Sequence, residues 1–142
     1  MKVTNVYFDA SALLPLFIDD EFTPAAKVMV SRVSIVHVSD WTTAECVSAI
    51  GRAIRMGLLT HERARGLCGS IDAWVFANAL RIDVEVEDVR FAESLLRRFE
   101  FNLRAPDALH VALARRLSLP LATFDRNMAI CAEALGLQLA RP

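Results

Sequence analysis

Short runs of β-branched and aromatic residues alternate along this chain with longer amphipathic stretches, and that alternation restricts the fold more than any single motif. "VTNVYF" and "SIVHV" have the composition of strands. Between them, "SALLPLFI" reads as a helix with Pro15 early enough to be tolerated. "TPAAKVMVSRV" reads as another, with Thr23 as its cap and Pro24 at the first helical position. "WTTAECVSAIGRAIRM" places Ala44, Val47, Ile50 and Ile54 on one helical face. "HERARGLCGSIDAWVFANAL" is a further helix, loosened by Gly66 and Gly69. "IDVEV" alternates as a short strand, and "VEDVRFAESLLRRF" turns Val89, Ala92, Leu95, Leu96 and Phe99 inward. "APDALHVALARRL" opens on Pro106 and closes on Arg115 and Arg116, which suits a helix dipole. "LPLATF" is a strand, "RNMAICAEAL" a helix, and Gly136 ends that helix before a last short strand, "LQLA". Alternating strands and helices predict an α/β sandwich around a mostly parallel sheet.

The 142 residues, 54% apolar and 23% charged, suffice for one domain over 1–142 with a substantial core. No repeat, low-complexity tract or linker divides them. No apolar run approaches the roughly 18 residues of a membrane span. "ALLPLFI" is short, contains a proline and follows Asp9 instead of a basic segment, so it makes a poor signal peptide. A soluble, cytoplasmic protein is expected. Cys46, Cys68 and Cys131 are far apart, with no CxxC pair and no His at zinc spacing, and read as buried free thiols. A net charge of −1 carries no global polyanion-binding signature. Fourteen of the sixteen basic residues are arginine, the exceptions being Lys2 and Lys27. A coding bias or a need for phosphate-gripping forks would each produce that.

Two strands end on an acid: "VYFDAS" on Asp9 and "LATFDRNM" on Asp125. In open α/β sheets ligands gather beyond the carboxyl ends of the strands. Glu45, in the first turns of the helix after "SIVHV", and Asp107, in the first turn of "PDALHVALARRL", fall in the same zone. Each acid also has a local explanation. Glu45 could close a capping box with Thr42, Asp107 could complement a helix N-terminus, and Asp9 and Asp125 could be turn residues. Convergence of all four would be costly: two carboxylates ~4 Å apart repel by about 4 kcal/mol at an effective dielectric near 20. A cation would relieve that, and an all-oxygen donor set favours Mg²⁺ or Mn²⁺ over zinc. Such ions point to phosphate-ester or phosphodiester chemistry.

"YFDASALLPLF", "TTAE", "APDALHVALA" and "LATFDRNM" together resemble the PIN domain, specifically the VapC-type toxin ribonucleases of bacterial type II toxin–antitoxin systems. The resemblance implies a three-layer α/β/α sandwich with about five mostly parallel strands. It also implies an acidic metal pocket of Asp9, Glu45, Asp107 and Asp125, which are the catalytic and metal-binding residues. The activity implied is Mg²⁺-dependent endoribonuclease hydrolysis of RNA phosphodiester bonds, with Mn²⁺ as substitute, 5′-phosphate and 3′-hydroxyl products and no covalent intermediate. Implied partners are a cognate VapB-type antitoxin whose C-terminal segment crosses the acidic groove, a second copy in a homodimer, and operator DNA reached only through the antitoxin complex.

Ser11 and Thr123 match small hydroxyl positions beside the first and last acids, as supporting or substrate-positioning residues, although a local turn bond explains them equally. His110, three residues after Asp107, could face the pocket rim, but reads more simply as a satisfied helical histidine; Asp19 to Glu21 read as a solvated turn, and Asp88 as part of an acidic helix start. RNA contacts are assigned to Arg52, Arg55, Arg104 and Arg126, and an antitoxin groove to the space between "LLPLFI" and "AIGRAIRM". One rival, a phosphatase or phosphoryl-accepting receiver, lacks its second acid at Ser11 and any lysine beyond Lys27. A second rival is a catalytically silent PIN-like module that binds RNA or protein.

Overall fold

A computed structural model describes residues 3–142; Lys2 lies outside them. Strand β1 (Val3–Phe8) shows why the chain forms layers. Val6 and Phe8 are buried on one face of the sheet and Tyr7 on the other. The remaining strands are β2 (Val33–Ser39), β3 (Ala79–Ile82) and β4 (Leu121–Ala122). Among the described residues they form one sheet in the order β3-β2-β1-β4, with every pairing parallel.

On the first face lie α1 (Ala10–Leu13), a 3-10 turn at Leu14–Leu16, α2 (Thr23–Arg32), α3 (Asp40–Arg55) and α4 (His61–Asn78). They bury Val6, Phe8, Leu13, Met29, Ile50 and Ile71 in a common core. The second face carries α5 (Val86–Leu96), α6 (Ala105–Arg116) and α7 (Arg126–Ala134), packed on Tyr7, Val111, Leu113, Leu121 and Met128. The α/β sandwich expected from the alternating pattern is therefore present, in the three-layer form that the PIN resemblance implies, with four strands among the described residues where about five were expected. Ala92, Ala108 and Ala112 let α5 and α6 approach closely. Buried Asp88 is more than part of an acidic helix start. Its Oδ1 accepts from Arg116 Nε at 2.8 Å, while Oδ2 accepts from Arg116 Nη2 at 3.0 Å and from the Glu85 amide at 2.9 Å. This two-pronged pair ties the start of α5 to the end of α6. The two helices therefore run antiparallel, and the start of α6 returns to the sheet edge where β1 and β4 end.

Several local expectations are corrected. "LQLA" contracts to a single parallel bridge, Leu121 with Leu139, because β4 is only two residues long and offers one position to pair. The third strand is "ALRI", not "IDVEV". Asp83 and Val84 form the connection, and Glu85 and Asp88 build a capping box for α5. Helix α3 buries Thr42, Cys46 and Ile50, rotated from the expected face, so that Ala44 and Val47 are exposed. Val89 is likewise exposed, and Phe99 lies beyond α5 with φ 58° and 89% of its surface in solvent. Thr23 does not cap α2; its hydroxyl donates to the Pro15 carbonyl at 2.8 Å and accepts from the Asp20 amide at 3.0 Å.

Gly66 and Gly69 do not interrupt α4, and a methyl group at either would meet no atom within 4 Å. Gly66→Ala and Gly69→Ala should each stabilise the protein by roughly 0.5–1 kcal/mol, through reduced freedom of the unfolded chain. Chemical denaturation would show this as a raised midpoint with an unchanged slope.

Candidate active site

Each of the four acids is placed by the first turn or two of a helix that follows, or returns to, the carboxyl end of the sheet. Asp9 follows β1 directly, extends the pairing through its amide to the Ala122 carbonyl at 3.1 Å, and caps α1. Asp125 caps α7 after β4, its Oδ1 accepting the Met128 amide at 2.8 Å. Asp107 caps α6, its Oδ2 accepting the Arg104 amide at 3.3 Å. Glu45 sits in the second turn of α3 and is not part of a cap. Ser39 and Thr42 form that capping box between themselves, which leaves the Glu45 side chain to meet His110 Nε2.

Asp9 is the buried centre of the site, only 2% exposed. Its oxygens accept from Ser11 Oγ at 2.8 and 3.0 Å, Thr123 Oγ1 at 2.6 Å and the Ala12 amide at 2.9 Å. The same hydroxyls stitch the β1 and β4 ends together: Ser11 Oγ accepts the Phe124 amide at 2.8 Å and Thr123 Oγ1 the Asp125 amide at 3.0 Å. The turn role and the supporting role of Ser11 and Thr123 are thus one arrangement. No Lys or Arg pairs with Asp9 among the described residues. Burial pushes its carboxyl above the ordinary range, opposed by His110 and by the hydrogen bonds. Asp107 is also pushed up, by burial and then by the charge of Asp125, against the Arg104 amide and guanidinium and with a smaller push from Glu45.

The acids therefore face one another across a shared edge but do not close into a cage. Among the described residues, no three His, Cys, Asp or Glu side chains stand close enough to hold an ion as they are placed. The donor chemistry nevertheless fits a hard divalent cation. Among the described residues, Glu45 Oε2, Asp107 Oδ1 and Asp125 Oδ2 take no protein hydrogen bond, and Asp9 is a buried acid with no Lys or Arg partner.

The arginines divide by position. Arg126 directly follows Asp125, and Arg104, 80% exposed at its side chain, reaches Asp107 at 3.5 Å. Arg52 and Arg55 lie in the last turn of α3, about 10–15 Å further along the helix than Glu45 at 1.5 Å per residue. The space between "LLPLFI" and α3 is mostly filled: Leu14, Leu16, Phe17, Ile18 and Ile54 pack against the core, while Met56 is exposed. In the Asp19–Glu21 turn, Asp20 Oδ1 accepts the Phe22 amide at 2.7 Å. The residue underestimated from sequence is His110. It does satisfy its hydrogen bonds, as expected, but one of them goes to Glu45. Its i+3 spacing from Asp107 was the available signal.

Residues 6–133 match the PIN domain model. The chain belongs to the PIN-domain family. Among its relatives are Ribonuclease VapC3 of Pyrobaculum aerophilum, 29% identical over 85% of this chain and 89% of that protein, and Ribonuclease VapC46 of Mycobacterium tuberculosis, 30% identical over 96% and 97%. Among solved structures, VapC20 of M. tuberculosis, a sarcin–ricin loop cleaving toxin, superposes with a TM-score of 0.75 at 18% identity, covering 96% of this chain and 99% of that one. VapBC2 of Rickettsia felis, solved bound to a promoter DNA fragment, matches with a TM-score of 0.63 at 12% identity, covering 96% and 97%. The relatives place the chain in the VapC branch of the family; the two structures share its fold.

Because burial raises the Asp9 and Asp107 carboxyls, each adds stability below the ordinary carboxylate range and loses it as pH rises through the raised value. In chelator-treated protein, Asp9→Asn should therefore melt at a higher temperature than the wild type at neutral pH. The gap should narrow on acidification towards the ordinary carboxylate range. Scanning calorimetry across that range checks both statements.

Proposed function

We propose that this chain is a metal-dependent endoribonuclease, the toxin of a toxin–antitoxin pair. The observation that supports this reading is that Asp9, Glu45, Asp107 and Asp125 come from four separate segments at the carboxyl end of the sheet, and three carboxylate oxygens among them take no protein hydrogen bond among the described residues. The ribonuclease names of the two VapC relatives support it. On this reading the whole of residues 1–142 is one catalytic domain that works in the cytoplasm.

The four acids would hold one or two Mg²⁺ ions, with Mn²⁺ as substitute. When bound, such an ion lowers the pKa of a water and offsets charge on the scissile phosphate. The chain's own residues supply the rest. Ser11 and Thr123 hold both oxygens of Asp9, so that this acid keeps a fixed direction. Arg104 and Arg126, beside the pocket, meet the RNA phosphates next to the cut, and Arg52 and Arg55 grip the strand further away. Water is the nucleophile, no enzyme-bound intermediate forms, and the products carry 5′-phosphate and 3′-hydroxyl ends.

A VapB-type antitoxin would check this activity by laying a C-terminal segment over the acids, and operator DNA would be reached through that complex; the R. felis VapBC2 structure contains promoter DNA. The chain would act as a homodimer. The exposed Val86 and Val89 of α5, beside an apolar hollow of about 410 Å³ lined by Trp41, Leu96 and Pro106, offer a surface for the second copy.

Antitoxin-free protein should cleave cellular RNA in Mg²⁺, and sequencing of the new ends should reveal a defined site. Asp9→Asn and Asp125→Ala should each lower the rate by more than about 100-fold, beyond the 10–100-fold typical of lost supporting contacts. Full cleavage by either variant would overturn the reading. Mn²⁺ binding without cleavage of any cellular RNA would favour a silent binding module.

A further inference from the structure

Behind the acids lies a polar cluster inside the protein. Tyr7, Ser39 and Thr42 are fully buried and His110 is 1% exposed. The Tyr7 hydroxyl lies 2.6 Å from His110 Nδ1, 2.9 Å from Ser39 Oγ and 3.2 Å from Thr42 Oγ1. The second imidazole nitrogen, Nε2, meets Glu45 Oε1. Packing of β1 against α6 does not need these polar atoms, since phenylalanine and leucine would fill the same volumes. A buried polar cluster is costly unless every member is satisfied, so its completeness here points to a task.

Donor and acceptor capacities fix the direction of the bond to Glu45. An ionised Glu45 carboxylate only accepts, so Nε2 carries a proton. On the other side of the ring Nδ1 shares a bond with the Tyr7 phenol, and the Tyr7 oxygen shares another with Ser39 Oγ. Ser39 Oγ in turn accepts the Thr42 amide at 3.2 Å, and Thr42 Oγ1 donates to the Phe8 carbonyl at 3.0 Å. The relay thus starts at the capping box of α3 and at the last residue of β1, two features that cannot shift without opening backbone structure.

We infer that Tyr7 and His110 are positioning residues, which pin Glu45 by Oε1 and leave Oε2 as its one oxygen for a divalent cation. This inference rests on the proposed role of Glu45 as a metal ligand. It explains why a flexible glutamate can serve beside three shorter aspartates that their own helix caps hold in place. The relay removes the rotamer freedom that Glu45 would otherwise lose on binding the ion.

Calorimetric titration with Mn²⁺ tests the inference. His110→Leu, which keeps bulk and loses the donor, should weaken Mn²⁺ binding roughly 10- to 100-fold. His110→Gln, whose amide nitrogen reaches the place of Nε2, should restore affinity to within a few-fold of wild type. Tyr7→Phe, the mildest change, should fall between the two. Wild-type affinity in folded His110→Leu, or equal loss in the Leu and Gln variants, would overturn the inference. Histidine ¹⁵N spectra of the metal-free wild type give a second readout. A proton on Nε2 that is slow to exchange supports the relay; a ring without a proton on Nε2 overturns it. Failure of the wild type itself to bind Mn²⁺ would count against the proposed function, and the spectra would still judge the relay.

Discussion

An acid with no lysine or arginine partner among the described residues, buried where β1 ends, is the constraint around which the molecule is organised. Asp9 cannot be hydrated there, and no guanidinium or ammonium reaches it among the described residues. Two hydroxyls and an amide hold it instead, and those hydroxyls also fasten the segment after β4 to the segment after β1. Local bonding and long-range assembly are therefore the same set of contacts. The stability given up by keeping this acid dry is supplied by the two apolar layers, which meet at β1 from opposite sides. Burying such a group is costly, which is a reason for a fold to place it at the end of a strand and not in the middle of the core.

Much of the fold was legible because the strand residues alternate and because Asp9 stops an apolar run where β1 ends; "LPLATF" reaches too far, since β4 is only Leu121–Ala122 and Thr123 and Phe124 lead on to Asp125. What was misread came from competition between local patterns. "TTAE" carries the spacing of a capping box, but Ser39 stands three residues before Thr42 and takes that role, which frees Glu45. Helix α3 seemed to face inward through Ala44 and Val47 because Thr42 counts as polar in a hydrophobic tally, and Cys46, although it reads as a buried thiol, is not among the residues that set that face. In the structure Thr42 satisfies its hydroxyl on Phe8, and the Cys46 thiol, pushed up to about 12 by burial, behaves as a small apolar group. "IDVEV" alternates convincingly, yet the pairing positions along β2 are filled by Ala79–Ile82 and the acids of that segment are used to start α5. The partnership of His110 with Tyr7 spans 103 residues, and no local window could reveal it.

The family relationship sharpens this picture. VapC20 shares the fold at 18% identity, so the layered frame tolerates wide replacement of side chains. Core positions such as Leu13 or Val111 ask only for apolar volume. The edge asks for particular atoms. Asp88 with Arg116 shows the intermediate case: an ion pair away from the pocket that anchors the start of α5 to the end of α6, the helix that carries Asp107 in its first turn.

The pairing of Tyr7 with Leu121 joins positions far apart in the chain, and Asp125 comes later still. During translation the first acid emerges from the ribosome long before the last has been polymerised. The acidic edge is therefore incomplete for most of the time the polypeptide is being made, because its last member is added only after most of the chain.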